Sequence, residues 1–323
     1  MSYRNVAIIV EWENALLAEL ERPKEMLRRL QGQAIAFAQR EGCRFHLVIA
    51  YNPHDVDIAV PQGAVDDCID EESWPGTVTF MDAGDRHYYA LKTHAVAQRD
   101  EDLIVFVDSD VVPEEGWLEA LLTPFQDPEV QIVGGNTYLD TPDTTGKAFA
   151  LFWFFKPKRS LPQLSTRRSF FANNLAIRKA TFEAHPFPEA QAYRGQCNEM
   201  ARALIKDGIA IHSAGAAWMS HPAPNGVSHI LNRAAAKGFD NVYWNRQRKA
   251  GWLKASPIGA VFRLLRTVLQ LPSRVVSRNR DLHFGLIGGA LGALGGIGYA
   301  LIVFLSELVS WIAPRFVKRH VSV

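Results

Sequence analysis

Asp102-Leu-Ile-Val-Phe-Val-Asp108-Ser-Asp110-Val-Val-Pro-Glu-Glu-Gly-Trp-Leu-Glu-Ala-Leu-Leu122 sets a short apolar, β-rich run directly before two carboxylates and a helical pattern. Leu103–Val107 predicts a strand buried on both faces, and Glu114–Leu122 predicts a helix. Asp108 and Asp110 then stand at the carboxyl end of that strand, where the ligands of α/β sheets collect. Two carboxylates so close repel each other and raise one pKa, and a divalent cation relieves the repulsion. Oxygen ligands favour magnesium or manganese, ions that leave positions open for phosphate oxygens. In isolation the same residues read equally well as a solvated loop or a helix cap ahead of Pro113-Glu114-Glu115. The buried strand before them and the helix after them favour the metal.

Outward from this stretch the pattern repeats. Val6–Val10 predicts a first strand, and a helical pattern runs from Glu13-Asn14 to about Gln39, interrupted at Arg22-Pro23. Phe45–Ala50 predicts a second strand ending in the turn Tyr51-Asn52-Pro53, Val78–Met81 a third, and Tyr88–Arg99 a helix. Strands alternating with helices predict an α/β domain with a mostly parallel central sheet. At 323 residues, 48% hydrophobic and 21% charged, the chain is neither disordered nor of low complexity. Residues 1–243 carry 23 Lys/Arg against 32 Asp/Glu, whereas 244–283 carry nine against one, Asp281. An acidic body followed by a basic stretch argues against nucleic acid as partner and for an anionic surface. Cys43, Cys68 and Cys197 are scattered without CxxC spacing, so neither a disulfide framework nor a zinc site is expected, and a reducing compartment fits. The apolar run before Glu11 is too short for the core of a signal peptide. Internal repeats, a GxxxxGK[ST] phosphate loop and a GxSxG elbow are all missing.

Phe284–Ser306 is uncharged and carries seven glycines, among them Gly285/Gly289, Gly288/Gly292 and Gly292/Gly296 at four-residue spacing. Its length suits a membrane-crossing helix, and its glycines suit close helix contact, including a homo-oligomer. Pro257–Pro272 predicts an amphipathic helix with Arg263, Arg266, Thr267 and Gln270 as one polar stripe. Such a helix either lies in the headgroup layer or packs on its own domain. Arg274, Arg278 and Arg280 ahead of the span predict a cytoplasmic body on the inner membrane with a single pass, against the opposing pull of Arg315, Lys318 and Arg319. The expected divisions are a domain over 1–243, a basic juxtamembrane segment over 244–283, a membrane helix over 284–313 and a basic tail over 314–323.

The 102–122 stretch, in order with others, resembles family 2 glycosyltransferases of the GT-A fold. Asn5–Asn14 is similar to their first strand, Tyr88-Tyr89-Ala90-Leu91-Lys92-Thr93 to a helix beside the nucleotide, and Val133-Gly134-Gly135 to the strand after the metal motif. Phe170–Phe182 resembles their Gly-Asn-x-Ala-Ile-Arg-Arg segment near donor sugar and acceptor. Arg194-Gly195 and His221 complete the order, over about residues 3–225. The resemblance implies inverting transfer of a sugar from a nucleotide-diphosphate sugar, uridine by family default, to an acceptor hydroxyl. It implies a manganese or magnesium ion on Asp108, Asp110 and His221, with Asp108 contacting ribose or metal. It places Glu11, Glu13, Tyr51, Lys92, Asp108 and Asn174 around the donor. Two departures stand out. The family's Glu-Asp pair, whose Asp is the usual base, is here Gln196-Cys197, and Glu199, about 200° further round a helix, replaces it only if the helix register shifts. The first strand ends Glu11-Trp12-Glu13-Asn14 in place of Pro-x-Tyr-Asn. A membrane-attached transferase with a lipid-linked or glycan acceptor is therefore expected, in envelope glycan or glycolipid synthesis. The rivals are a non-catalytic nucleotide-sugar-binding scaffold and a nucleotidyltransferase, which lacks its phosphate loop here.

Overall fold

Alternation along the strands decides the architecture. In β1 (Asn5–Glu11), Val6, Ile8 and Val10 point to one face, while Ala7 and Ile9 point to the other, and all are fully buried. β2 (Arg44–Tyr51) and β4 (Leu103–Asp108) divide in the same way, so the sheet needs cover on both faces. One face packs on Met26, Leu27, Leu30, Ala34 and Phe37 of α1 (Glu21–Glu41), and on Trp117, Leu118 and Leu121 of the short α4 (Trp117–Leu122). The other packs on Leu91, Ala95 and Val96 of α3 (Tyr88–Ala97), Phe182 of α6 (Lys179–Ala184), and Met200, Ala201 and Leu204 of α7 (Gln196–Lys206). α2 (Ala59–Asp66) completes the helices of this part. The computed structural model describes residues 3–17, 20–141, 143–224, 226–248 and 251–321; the predicted first helix crosses residues 18 and 19, which lie outside them.

Among the described residues the sheet has nine strands in the order β3-β2-β1-β4-β8-β6-β9-β5, with β7 beside β9. β3 is Gly76–Asp82, β5 Val112–Pro113, β6 Ile132–Leu139, β7 Leu164–Arg167, β8 Asn174–Arg178 and β9 Ile211–His221. The parallel sheet expected from the β-α alternation holds for β3, β2, β1 and β4. β8 then runs antiparallel to both β4 and β6, and β5 and β7 run antiparallel to β9. The sheet is therefore mixed, parallel on the β3–β4 side and antiparallel where β8 enters.

The described residues fall into two compact units, one holding the sheet (1–138, 160–189 and 196–221) and one holding 139–159, 190–195 and 222–323. The second contains α5 (Thr144–Phe152), α8 (Gly226–Gln247), α9 (Trp252–Ala255), α10 (Pro257–Leu282), α11 (Gly285–Ile312) and α12 (Pro314–His320). α11 is long and apolar enough to cross a membrane. Gly288, Gly289, Gly292 and Gly296 form its buried side. A Cβ on Gly292 would stand 2.3 Å from Leu151 Cδ1 of α5, and one on Gly238 of α8 would stand 2.6 Å from the Val303 carbonyl oxygen of α11. The glycine spacing read as an oligomer contact is thus used for close packing inside the chain. Glu307 of α11 is 2% exposed, and its carboxylate accepts from Asn241 Nδ2 (2.6 Å) and from Arg263 Nε (2.9 Å) and Nη2 (2.6 Å).

α10 begins at Ser256, whose Oγ accepts from Gly259 N, with Pro257 in the first turn. It runs through Pro272 to Leu282, ten residues beyond the stop that the proline predicts. Its polar stripe includes Arg263, which is directed at α11, whereas Phe262 and Leu269 are 61% and 79% exposed.

Candidate active site

Parallel register pairs Glu11, the last residue of β1, with Asp108, the last residue of β4. Both are buried, and two adjacent carboxylates in low dielectric require compensation. Asn14 supplies part of it: its backbone N donates to Glu11 Oε1 (2.9 Å), and its Nδ2 donates to Glu11 Oε2 (2.8 Å) and Asp108 Oδ2 (3.2 Å). Lys92, fully buried on α3, forms a salt bridge to Asp108 Oδ1 and donates to the Ala172 carbonyl (3.1 Å). Tyr88 Oη donates to Asp108 Oδ2 (2.8 Å), and the Lys92 ammonium sits 4.0 Å from the centre of the Tyr88 ring. Burial, with Asp108 beside it, pushes the Glu11 carboxyl well above the usual carboxylate range, against a partial offset from Lys92. One lysine therefore balances one carboxylate, and Glu11 favours its protonated form.

Asp110 lies just beyond this cluster. The short β5 pairs with the end of β9, Val112 opposite Ser220, and this brings His221 Nε2 to 3.4 Å from Asp110 Oδ2. Arg22 ties the two ends together, donating Nε to the Asp110 carbonyl and Nη2 to Ser220 Oγ (2.9 Å). Ligands about 2.1 Å from an octahedral cation lie roughly 3 Å apart, so Asp110 and His221 fit one divalent ion. Asp108 fits it less well, since donors already reach both its oxygens. Glu13, Asp55 and His87 also bring three potential ligand atoms together. There, however, Glu13 Oε1 is bonded to His87 Nδ1 (2.8 Å) and Glu13 Oε2 accepts from Tyr88 N (2.8 Å). Those bonds hold Tyr88 at φ +26°, a strained setting for a non-glycine residue.

The other predicted residues divide. Glu13 supports Tyr88, as above. Tyr51 packs its ring into the core under β2, and burial together with Asp82 raises its phenol pKa. Asn174, placed by resemblance near the donor, has its side chain committed to the protein: Oδ1 accepts from Trp117 Nε1 (2.9 Å) and Nδ2 donates to the carbonyls of Asn136 (3.0 Å) and Ala217 (3.2 Å). Gln196 and Cys197, which open α7, are both buried. The Cys197 thiol lies 3.4 Å from Tyr89 Oη, and burial pushes it up to about 11, so it stays protonated at neutral pH. Glu199 is partly exposed, with Arg202 Nε 3.7 Å away. Sequence reasoning missed Asn14 as the bridge between Glu11 and Asp108, Tyr88 as a donor to Asp108, and Arg22. Only Asn14 carried a signal, as a polar residue three positions after a strand-end acid.

The residues that immediately precede α7 in the chain are held by α8. Asp240, 4% exposed, accepts from the backbone N of Tyr193 (2.8 Å) and Arg194 (3.0 Å), and Trp244 Nε1 donates to the Arg194 carbonyl (2.7 Å). Burial raises the Asp240 carboxyl from 3.8 to about 6. A raised folded-state value means that its contribution to stability is fully present below the unfolded pKa and is lost as pH rises through about 6. Asp240→Asn is expected to flatten the fall in stability between these limits by an amount on the order of 2 kcal/mol, read from urea unfolding across that pH range. An unchanged slope would mean that Asp240 does not titrate there.

The description "Glycosyltransferase like family 2" matches residues 31–276, more than half of the chain. No curated protein sequence matches. Among solved structures, a mannosyltransferase from Pyrobaculum calidifontis in complex with GDP-Man and Mn2+ aligns over 97% of this chain and 88% of its own, with a TM-score of 0.53 at 12% identity. GalNAc-T7 with UDP, GalNAc and Mn2+ aligns over 79% of this chain and 52% of its own, with a TM-score of 0.49 at 8% identity.

Proposed function

The chain belongs to the glycosyltransferase-like family 2, a transferase family with the GT-A fold, and on that premise we propose that it moves a sugar from a nucleotide-diphosphate sugar to an acceptor hydroxyl with inversion. The observation that carries the reading is the 3.4 Å approach of Asp110 and His221 beside the buried Asp108 at the carboxyl end of β4. Asp110 and His221 would hold a manganese or magnesium ion, which when bound supplies Lewis-acid neutralisation of the leaving diphosphate. Lys92, Tyr88 and Asn14 fix the Asp108 carboxylate, and Glu11 in its protonated form spares the site a second negative charge. The acceptor oxygen bonds to the anomeric carbon on the face opposite the diphosphate, the bond from that carbon to the diphosphate oxygen breaks, and the acceptor proton passes to a base. Glu199, the carboxylate in the first turn of α7, is the proposed base even though α7 opens at Gln196 without a register shift, since Gln196 has no basic group and the Cys197 thiol stays protonated.

We place the sheet-bearing part on the cytoplasmic face of the inner membrane, because Arg274, Arg278 and Arg280 precede α11. A lipid-linked or glycan acceptor follows from that location. The rival reading, a nucleotide-sugar-binding scaffold without turnover, rests on the buried Cys197 at the family's base position. A panel of UDP- and GDP-sugars with manganese or magnesium, followed for binding and for release of the nucleoside diphosphate, separates the two. Glu199→Gln is expected to lower kcat by roughly 10²–10⁴-fold with donor affinity retained. Binding of a donor with no release under any condition would favour the scaffold.

A further inference from the structure

α10 buries Leu271 and Val275 on one side and leaves further apolar residues exposed on another. Arg263 turns to the buried Glu307, while Ile258, Phe262, Leu265, Leu269 and Val276 are all exposed. These positions follow one another at steps that return to one side of a helix, so they form a single stripe. α11 adds exposed Leu286, Leu294, Leu301 and Leu305 to the apolar surface of the same unit. A contiguous apolar surface of this kind marks a site that meets another apolar phase.

At the C-terminal end of the stripe, Pro272 and Val276 line a cavity of about 590 Å³ together with Arg159, Arg280 and Asp281. An adjoining cavity of about 480 Å³ shares Arg159 and Asp281 and adds Lys156, Arg274, Arg278 and the exposed Phe154. Five cations thus face one carboxylate. Arg278 is the structural member: its guanidinium donates to the carbonyls of Ala150 (2.9 Å) and Trp153 at the end of α5. Burial, with Arg274 beside it, pushes Arg278 down to about 10. Arg274 donates to Gln270 Oε1 (3.1 Å), and Arg274, Arg159 and Arg280 are all exposed.

We propose that this cleft binds the phosphate of an anionic phospholipid, its acyl chains lying along the exposed stripe of α10. Guanidinium groups pair with phosphate oxygens through two parallel hydrogen bonds, and the apolar wall of Pro272, Val276 and Phe154 continues from the phosphate position into the stripe. A free phosphate would have no use for that wall. The inference does not depend on glycosyl transfer.

The test is flotation of the full-length chain, diluted from detergent, with phosphatidylcholine vesicles or with vesicles that also contain phosphatidylglycerol. Each cation near an anionic surface strengthens binding roughly five-fold, so Arg159, Arg274 and Arg280 together give a preference on the order of 100-fold. The triple variant Arg159→Glu, Arg274→Glu, Arg280→Glu is expected to lose that preference and still bind neutral vesicles. The corresponding triple Gln variant is expected to lose most of it, which keeps the result readable if charge reversal disturbs folding. Arg266→Glu, exposed on α10 outside the cleft, is expected to cost no more than about five-fold. Phe262→Asp with Leu269→Asp is expected to weaken binding to both kinds of vesicle. A wild-type chain without preference, a preference that survives both triple variants, or an Arg266→Glu loss as large as theirs would overturn the proposal. So would inorganic phosphate binding the lipid-free chain in calorimetry when phosphatidylglycerol vesicles gain nothing over phosphatidylcholine, which would assign the cleft to the free anion.

Discussion

Lys92→Met is expected to lower the unfolding free energy by about 3–5 kcal/mol, the cost of leaving one member of a buried ion pair uncompensated. Asp108 is 3% exposed, and Lys92 is its only cationic partner among the described salt bridges. Tyr88 and Asn14 would still donate to Asp108, but neither carries charge, and Glu11 already resists ionisation beside it. The measurement is urea unfolding of the single variants and of Lys92→Met with Asp108→Asn. The double variant is expected to recover much of the loss, because a neutral amide next to a thioether needs no counter-charge. Additive losses in this cycle would show that the two side chains are not coupled, and the electrostatic account of the site would fail with them.

The second large effect falls on activity. Asp110→Ala is expected to reduce transfer by about 10³-fold or more, since loss of a metal-held charge interaction at the leaving group removes several kcal/mol of transition-state stabilisation. Its fold should survive. The sheet edge at Asp110 is fixed through its main-chain carbonyl, which accepts from Arg22, and through the β5–β9 pairing, and neither needs the carboxylate. Calorimetry with manganese and a nucleotide-diphosphate sugar is expected to show metal-dependent binding in the native chain and its loss in the variant. Transfer at native rates in Asp110→Ala would remove this residue from the site.

The strand at Leu103–Asp108 and its two acids were legible because period-two burial and a strand-end carboxylate are local signals. The same holds for β1, β2, β3 and α3, each found within a few residues of its predicted limits. The antiparallel half of the sheet was not legible: β8 joins β4 across the 65 residues of chain between Asp108 and Asn174, and no local pattern specifies such a partner. Asp110 and His221 were paired in advance only through family resemblance, whereas the structure joins them through β5, a strand too short to read. For Asn174 the sequence cannot show that the side chain bonds to Trp117, Asn136 and Ala217, because a polar residue at a strand start looks the same whether it faces a ligand or plugs a core. The break expected at Pro272 did not occur because α10 is held along its length, Leu271 and Val275 packing with Leu151 and with Ile297 of α11. Lys92 looked like a ligand for phosphate. The sequence holds no sign that its charge is already matched by Asp108.

The Glu307–Arg263–Asn241 cluster changes what α11 is. A generic hydrophobic tether could be exchanged for any other of equal length, but this helix is a keystone of its own bundle. Grafting a leucine-rich anchor in its place would strand a guanidinium and an amide that no acyl chain can answer, and clipping the chain before Gly285 to make it soluble would leave both without Glu307.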